Sequence, residues 1–376
     1  MPALIEAPLL VVSVGGGQDS TAIVYRLGLD AAFRRKYAGD ARILCVMSAT
    51  GDEHDDTDAH VPVLRAFCES YDMEFVHLTF DMGFHSASWS TGLRGFYEAK
   101  NAIGSAAYPK TCSENLKIAP IYRYLARYIA VNIFGDEALA FRKTSLYLYE
   151  AAYGPLNVAI GIALGEESRV AKAGAQPCVV CDGTGENIDD TAMDGLFRTL
   201  AAICRVCKGS GVKPPRHKWM EDCVERVYPL IPERMDRAAC QAYIESDAVA
   251  DALANVIVNG VPANAISNGA PAKVSPSNCY MCPFKSAIEI LWSWMVDPER
   301  FAVWVAIEQR KLDANTHMNA VPNPKTGKLE NKNYGVFKLK TLPMILDEAK
   351  HEYAGWSFER IADYRHSHGH CVASVY

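Results

Sequence analysis

The sequence predicts an α/β protein built on a doubly wound parallel sheet, with a small inserted module and a helical C-terminal part. The first observation is an apolar run, Leu9–Val14, followed by three glycines and a segment with helical spacing of apolar residues. The second is that two further apolar runs, Ala41–Ser48 and Glu74–Thr79, alternate with helix-like segments. The third is a shift in composition toward Gly, Cys, Asp and Pro from about Gly174 to Pro215. A βαβαβ alternation is typical of a parallel sheet with helices on its faces.

Each predicted element has its own signal in the chain. Leu9–Val14 is apolar along almost its whole length, as expected of a strand buried on both faces. The apolar residues of Ser20–Leu27 recur at helical spacing, so a helix follows the glycines directly. The remaining elements are strand Ala41–Ser48, helix Asp58–Tyr71, strand Glu74–Thr79, helix Ile118–Phe134, strand Leu156–Ala163, helical segments Arg237–Asn259 and Ser286–Leu312, and a loop at Asn319–Asn333.

The composition is that of an ordinary globular chain of 376 residues, with 49% apolar and 22% charged residues. The formal net charge of −6 gives no overall attraction to nucleic acid or to an anionic membrane, so nucleic acid would need a local basic patch. The N-terminus lacks the pattern of a signal peptide, and no stretch approaches the ~20 apolar residues that span a bilayer. We therefore expect a cytoplasmic protein without a membrane partner. There, the twelve cysteines are expected as metal ligands, catalytic groups or buried thiols.

The segment Ser13–Ser20, which reads Ser-Val-Gly-Gly-Gly-Gln-Asp-Ser, has the chemistry of a phosphate site. Successive glycines before a helix present backbone N–H groups without interfering side chains. Ser13, Ser20 and Thr21 add hydroxyl donors. Asp19 would repel a bare phosphate, so its carboxylate is expected to bind magnesium or to cap the turn. The alternative is a tight turn without a ligand, which three consecutive glycines between serines disfavour.

Several motifs resemble those of the PP-loop ATP pyrophosphatases and the phosphoadenosine phosphosulfate (PAPS) reductases, whose fold is adenine nucleotide alpha hydrolase-like. Ser13–Ser20 is similar to the S-G-G-x-D-S loop of that family. The resemblance runs from about residue 9 to about residue 310 and is closest to the sulfurtransferases of the DNA phosphorothioation type. The other similar segments are Thr50–Glu53 (T-G-(D)-E), Thr111–Pro120 (C-T-x-x-L-K-x-x-P), Ile160–Arg169 (I-G-I-x-x-D-E-x-x-R, with Glu166 for the usual Asp), Tyr228–Leu230 with Asp236-Arg237 (Y-P-L…W-x-R-x-D), and Asn278–Phe284 (C-x-x-C-P-F).

The resemblance implies an ATP site with Mg²⁺ at the Gly-rich loop. Lys117 and Arg169 would contact the phosphates, because cations stabilise the charge that develops on phosphate oxygens during transfer. Asp19 and Cys112 complete the implied catalytic residues. The backbone near Thr50 would lie by the adenine or the ribose. The residues implied to hold the nucleotide are Ser13, Gly15, Gly16, Gly17, Asp19, Ser20, Thr21, Thr50 and Gly51.

Two copies of the pattern C-x-x-C-x-G-x-G predict a tetrahedral zinc site. Cys178 and Cys181 form the first pair, and Cys204 and Cys207 form the second, with 22 residues between the pairs. Four thiolates on two such knuckles match structural zinc sites. The module resembles the zinc module of DnaJ-type chaperones. It would serve either as a knuckle that binds a partner or nucleic acid, or as a clip that stabilises the fold.

Cys112, Cys279 and Cys282 form another candidate site. Cys279 and Cys282 belong to a C-x-x-C-P segment, a context also found in iron–sulfur proteins. Three cysteines suffice to hold a [4Fe–4S] cluster with one open iron, and relatives in sulfur transfer use such clusters. Zinc is one alternative, and a redox pair with a third, nucleophilic thiol is another.

The motifs divide the chain into four segments: a nucleotide-binding α/β domain (1–172), the zinc module (173–215), a helical part with the CxxCPF motif (216–312), and a Lys-rich loop with a C-terminal tail (313–376). Lysines interleaved with Tyr334 and Phe337 in the last segment could meet nucleic acid, although a solvated loop is the simpler expectation. These lysines are Lys325, Lys328, Lys332, Lys338 and Lys340.

Three functions remain open at this point, in order of expectation. The first is an ATP-dependent adenylating sulfurtransferase that forms AMP and pyrophosphate, with sulfide or a sulfur-donor protein as the source and nucleic acid among the acceptors. The second is a PAPS reductase-like oxidoreductase, for which Cys371 would be the nucleophile in a His-rich context unlike the E-C-G-x-H of that family. The third is a non-catalytic nucleotide-sensing module.

Overall fold

The computed structural model describes residues 8–107, 111–167, 222–266, 274, 279–323 and 326–368. A central sheet contains the strands β1 Leu9–Val14, β2 Arg42–Ser48, β3 Glu74–Leu78, β4 Leu156–Ile160 and β5 Val224–Val227. All five strands run parallel, in the order β3-β2-β1-β4-β5. The predicted α/β fold with a parallel sheet is therefore confirmed.

Alternate residues of the inner strands point to opposite faces of the sheet, and helices cover both faces. On one face, Leu10 and Val12 pack in a buried cluster with helical residues such as Ile23. On the other face, Val11 packs in a second cluster with Leu125. Burial on both sides explains why β1 is apolar at nearly every position.

Helices follow most of the strands. Two π-helical turns, Glu114–Ile118 and Ile129–Ile133, join short helices into one helical run from Thr111 to Ile133. In the described ranges the α-helices are α1 Gln18–Leu29, α2 Ala31–Tyr37, α3 Asp55–Ser70, α4 Gly92–Lys100, α5 Thr111–Ser113, α6 Ala119–Tyr128, α7 Thr144–Tyr153, α8 Arg237–Ile244, α9 Asp247–Asn255, α10 Ala263–Ile266, α11 Ala287–Val296, α12 Pro298–Ala314, α13 Leu342–Glu352 and α14 Phe358–His368.

Two segments expected to be helical each divide into two helices. The segment 237–259 is interrupted at Ser246, whose extended backbone precedes α9. The segment 286–312 is interrupted at Asp297, because Pro298 cannot donate the N–H that a helix interior needs but fits a first turn. The Asp297 side chain accepts a hydrogen bond from the Arg300 amide and so caps α12.

The C-terminal region is more ordered than the sequence suggested. The predicted loop Asn319–Asn333 contains the short antiparallel pair β8 Val321–Pro322 and β9 Leu329–Glu330, after an earlier pair, β6 Ile257–Val258 with β7 Val261–Pro262. The segment expected as a tail contains α13 and α14, which pack on α11 in a third buried cluster that includes Trp304. The edge strand β5 also lies in the segment 216–312, which was expected to be helical.

The strand order creates a crevice between β1 and β4. The connection from β1 to β2 passes through α1 and packs on one face of the sheet, whereas α6 and α7, which precede β4, pack on the other face. The strand order reverses between β1 and β4, because β2 and β3 lie on one side of β1 whereas β4 and β5 lie on the other. Ligands of such sheets bind at the carboxyl edge of this switch point. Within the described part of the chain, no helix is long and apolar enough to cross a membrane.

Candidate functional site

The Gly-rich loop lies between β1 and α1, at the carboxyl edge of the sheet. The Gly15 amide donates to the Ser20 hydroxyl over 3.1 Å, and this hydroxyl donates to the Gly17 carbonyl over 3.1 Å. Gly17 is the N-cap residue of α1 and has no side chain to bind the first-turn amides. The first amides of a helix have no partner within the helix. This turn therefore offers N–H donors and the positive end of the helix dipole to an anion.

Two glycines are required by close packing around this loop. Gly16 has a φ of +74°, and a Cβ at this position would lie 2.8 Å from Thr57 Cγ2 on α3. A Cβ on Gly161, which directly follows β4, would lie 2.7 Å from the backbone nitrogen of Ser20. The absence of a side chain at Gly16 lets the loop pack against α3, and its absence at Gly161 lets the first turn of α1 lie against the end of β4.

Thr21 and Ser13 are both held by contacts within the protein. Thr21 is fully buried, and its hydroxyl lies 3.3 Å from Nε2 of His60 on α3. Burial lowers the pKa of His60 to about 4, so this histidine is neutral at physiological pH. Ser13 is a half-buried residue of β1 whose backbone pairs with neighbours on β2 and β4. Thr21 thus supports α1 from inside the protein.

Arg237, at the start of α8, lies beside the first turn of α1 and was not among the predicted site residues. Its carbonyl accepts a hydrogen bond from the side-chain Nε2 of Gln18 over 3.2 Å. Its guanidinium pairs with Glu166 over 2.7 Å, and both side chains are about nine-tenths buried. The third nitrogen, Nη1, is buried without a hydrogen-bond partner among the described residues. The signal in the sequence was the Asp236-Arg237 segment within the resemblance.

Asp19 lies in the same neighbourhood. It is half-buried in the first turn of α1. Burial raises the pKa of the Cys240 thiol on α8, and the nearby Asp19 carboxylate adds to this rise. Asp19 and Arg237 therefore place a carboxylate and a guanidinium close to the Gly-rich loop.

The loop after β2 is held by one carboxylate. Glu53 accepts hydrogen bonds from the backbone amides of Thr50, Gly51 and Asp52, over 2.6, 3.0 and 3.2 Å. The Thr50 carbonyl accepts from the Leu93 amide over 2.8 Å, which joins the loop to α4. A Cβ on Gly51 would lie 2.9 Å from the Cα of Gly92. Thr50 and Gly51 are therefore held in one fixed conformation.

The three cysteines of the third candidate site line one small open cavity. Cys112 belongs to α5, whereas Cys279 and Cys282 come from the loop before α11. The Cys279 thiol donates to the Thr50 hydroxyl over 3.2 Å, so the cavity directly adjoins the loop after β2. The lining residues are Thr50, Leu93, Cys112, Ser113, Leu116, Lys117, Cys279, Cys282 and Pro283.

The electrostatics of this cavity favour a protonated Cys279. Burial raises the pKa of the Cys279 thiol well above its usual value, and only the ammonium group of Lys117 opposes this rise. Tyr97 on α4 is also buried close to the three thiols, and burial raises its pKa. Lys117 thus lies at the thiol cavity, where it supplies a positive charge between apolar walls.

The predicted metal sites are only partly covered by the residues that the structure describes. Among the residues that the structure describes, no group of three or more His, Cys, Asp or Glu side chains is arranged to hold a metal ion. Cys112, Cys279 and Cys282 share a cavity but do not form such a group. The zinc ligands Cys178, Cys181, Cys204 and Cys207 lie outside the described residues, as do Arg169, Lys325 and Cys371.

An ion pair behind the cavity was also absent from the predicted site. Asp52 is buried, and its carboxylate accepts from the Met281 amide over 2.6 Å and from Arg300 over 2.9 Å. Arg300 also donates to the Glu53 carbonyl over 2.7 Å. Burial raises the pKa of Asp52 to about 6, against the opposing effect of Arg300. Asp52 thus connects the loop after β2 with the C-x-x-C segment.

Two of the lysines predicted to meet nucleic acid, and Lys311 upstream of them, are engaged within the protein. Lys340 contacts both carboxylate oxygens of Glu348 over 2.8 Å. Lys332 lies 3.9 Å from Glu330. Lys311 donates to the carbonyl of Tyr334 over 2.7 Å. These contacts reduce the positive charge that this region can offer to a phosphate backbone.

Comparisons with known proteins return no relatives. No protein-family model matches the chain, and neither a curated protein nor a solved structure matches it. The geometry of the two neighbouring sites is therefore the basis for any functional conclusion.

Proposed function

We propose that the protein is a PP-loop ATP pyrophosphatase, with an adenine nucleotide alpha hydrolase-like fold, that adenylates a substrate and supports sulfur transfer. The observation that carries the proposal is the Gly-rich loop at the crevice between β1 and β4. There, Gly161 lets the first turn of α1 approach β4 within van der Waals contact. Anionic ligands bind at helix N-termini in such crevices.

The phosphates of ATP would bind at Gly15, Gly16, Gly17 and Ser20. The adenosine would extend toward the loop after β2, where Glu53 holds the Thr50 and Gly51 amides in place. A carboxylate is a ligand that Mg²⁺ accepts readily, so Asp19 would bind the ion that accompanies ATP.

In the adenylation step, a substrate oxygen attacks the α-phosphorus and the bond to pyrophosphate breaks. Negative charge develops on the phosphate oxygens as this bond breaks. Arg237 is suited to stabilise that charge, because its Nη1 is buried and lacks a hydrogen-bond partner among the described residues. Its ion pair with Glu166 would hold the guanidinium in a fixed orientation.

In the sulfur step, sulfide displaces AMP from the adenylated acceptor, so that a bond to sulfur forms and the bond to the AMP oxygen breaks. Lys117 and the protonated Cys279 would favour a small sulfur anion in the thiol cavity. Among the described residues, the three thiols are not arranged as a metal-binding group. The zinc site, the [4Fe–4S] cluster, the nucleic-acid acceptor and the sulfur-donor protein remain predictions from the sequence.

Steady-state ATP turnover in wild type, Asp19→Ala and Asp40→Ala tests this proposal. Asp40 is an exposed loop residue and serves as the matched control. We expect Asp19→Ala to lose at least about 100-fold in kcat/KM, because it removes the magnesium ligand at the reacting phosphates. Asp40→Ala should keep the wild-type rate. Equal turnover in Asp19→Ala and wild type would exclude the proposed role of the loop, and binding without turnover in wild type would favour a nucleotide sensor.

A further inference from the structure

We propose that Asp52 and Arg300 are positioning residues that hold the Cys279–Cys282 loop against Thr50, so that nucleotide binding and the reactivity of Cys279 are linked. The inference rests on the proposed function in one respect, namely that the nucleotide lies against the loop after β2. It goes further by making the thiol cavity and the nucleotide site one coupled unit.

The first observation is a set of three hydrogen bonds between the two loops. The Tyr280 amide donates to the Asp52 carbonyl over 2.6 Å, and the Met281 amide donates to the Asp52 carboxylate over 2.6 Å. The Cys279 thiol donates to the Thr50 hydroxyl over 3.2 Å. Three consecutive residues of the C-x-x-C segment therefore donate to two residues of the other loop, Thr50 and Asp52.

The second observation is that Arg300 joins both loops. Its Nη2 donates to the Asp52 carboxylate over 2.9 Å and to the Glu53 carbonyl over 2.7 Å. Its guanidinium also lies 4.4 Å from the centre of the Tyr280 ring. The Tyr280 hydroxyl in turn donates to the Asp297 carbonyl over 2.7 Å. The C-x-x-C segment is therefore fixed from two sides at the start of α12.

The third observation concerns burial. The Asp52 side chain has 0% exposure and that of Arg300 has 19%. Separating a buried ion pair leaves an uncompensated charge, which is strongly unfavourable. A shift of the loop after β2 must therefore carry the C-x-x-C segment with it. Any ligand that shifts one loop changes the environment of the other, and by thermodynamic linkage the effect is reciprocal.

Thr50 is the point through which the linkage would act. Its amide is held by Glu53, its carbonyl by the Leu93 amide, and its hydroxyl accepts from Cys279. A nucleotide that contacts Thr50 therefore changes the acceptor of the Cys279 thiol. The Asp52–Arg300 pair is what keeps the thiol within reach of that hydroxyl.

The test measures the rate at which iodoacetamide alkylates Cys279, followed by peptide mass spectrometry, with and without magnesium and the non-cleavable α,β-methylene analogue of ATP. In wild type, we expect the saturating analogue to change the rate by about 5-fold or more. Arg300→Lys replaces the guanidinium that contacts both Asp52 and Glu53, and Asp52→Asn removes the ion pair, so the ratio should approach one in both variants. Arg127→Lys alters an exposed ion pair with Glu137 and should retain the wild-type ratio.

The reciprocal measurement needs no variant and covers the case in which the Asp52 or Arg300 variants do not fold. Wild type alkylated at Cys279 should bind the analogue with an affinity different from that of the unmodified protein, as measured by calorimetry. Binding of the analogue without any change in alkylation rate, or with the same change in Arg300→Lys, would overturn the linkage while leaving the proposed function intact. Failure of wild type to bind the analogue would overturn both.

Discussion

The substitution Gly161→Ala addresses the packing that shapes the crevice. An ideal Cβ at this position would lie 2.7 Å from the Ser20 nitrogen, 3.0 Å from the Asp19 carbonyl carbon and 3.1 Å from the Ser20 Cα. All three atoms belong to the backbone, so no side-chain rotation relieves the contact. Ordinary van der Waals contact begins at 3.4 Å, and the first turn of α1 must therefore move by about 0.7 Å from β4.

Two effects of this displacement can be measured. Overpacking in a tightly packed region destabilises a protein by ~1–3 kcal/mol, and we expect a loss of that size in the free energy of unfolding, measured with urea. The displaced Ser20 amide would also lose its alignment with a phosphate oxygen. A hydrogen bond to a charged group contributes ~1.5–3 kcal/mol, so the affinity for ATP with magnesium, measured by calorimetry, should fall roughly 10- to 100-fold.

Gly165→Ala is the matched control, four residues along the same loop. Gly165 has a φ of +87°, and a Cβ there would meet nothing within 4 Å. The alanine therefore adds backbone strain of ~1–2 kcal/mol without a steric clash. Gly165→Ala should lose stability but keep the wild-type affinity for ATP. Equal ATP affinities for Gly161→Ala and wild type would refute the argument that this contact positions the phosphate site.

Three further predictions concern groups that were not among the predicted site residues. Arg237→Lys keeps the charge but loses the planar guanidinium, so the affinity for ATP with magnesium should fall ~10-fold while the affinity for adenosine stays unchanged. Equal losses for both ligands would contradict a phosphate contact. Burial raises the pKa of Asp52 from 3.8 to about 6, so the folded protein binds a proton there more readily than the unfolded chain does. The stability that this group contributes therefore falls as the pH rises from about 4 to 6. Urea unfolding across that window should give a steeper fall for wild type than for Asp52→Asn, and parallel profiles would contradict the assignment. Glu308 is buried and accepts hydrogen bonds from the Val336 and Leu342 amides over 2.7 Å each. Glu308→Gln places a donor against one of these amides and should lower the free energy of unfolding in urea by about 1–3 kcal/mol. A neutral effect would contradict this role.

The inner strands could be predicted because their signal is local. β1 begins and ends at Leu9 and Val14, as expected, since a strand buried on both faces is apolar without interruption. The edge strand β5 was not predicted, because Val224–Val227 is short and has two charged residues at its centre. The division between α11 and α12 had a readable signal in Pro298, whereas that at Ser246 depends on how α8 and α9 pack.

For the candidate site too, local features could be predicted from the sequence, whereas contacts between distant segments could not. The Gly-rich loop and the loop after β2 follow directly from strands that could be predicted, and both lie at the carboxyl edge of the sheet. The pairing of Asp52 with Arg300 joins residues 248 positions apart, and no local pattern encodes such a contact. The position of Lys117 beside the thiols likewise depends on how the helical run from Thr111 packs against the C-x-x-C loop.

Product analysis tests the central claim most directly. Anaerobically purified protein would receive ATP labelled at the α-phosphate together with PAPS, in the presence of magnesium, a thiol reductant, sulfide and mixed nucleic acid, and the nucleotides would be separated by chromatography. We predict labelled AMP with an equal amount of pyrophosphate, and loss of both products in Asp19→Ala. Adenosine 3′,5′-bisphosphate and sulfite formed from PAPS, with ATP left intact, would contradict the proposed ATP cleavage and identify a reductase instead.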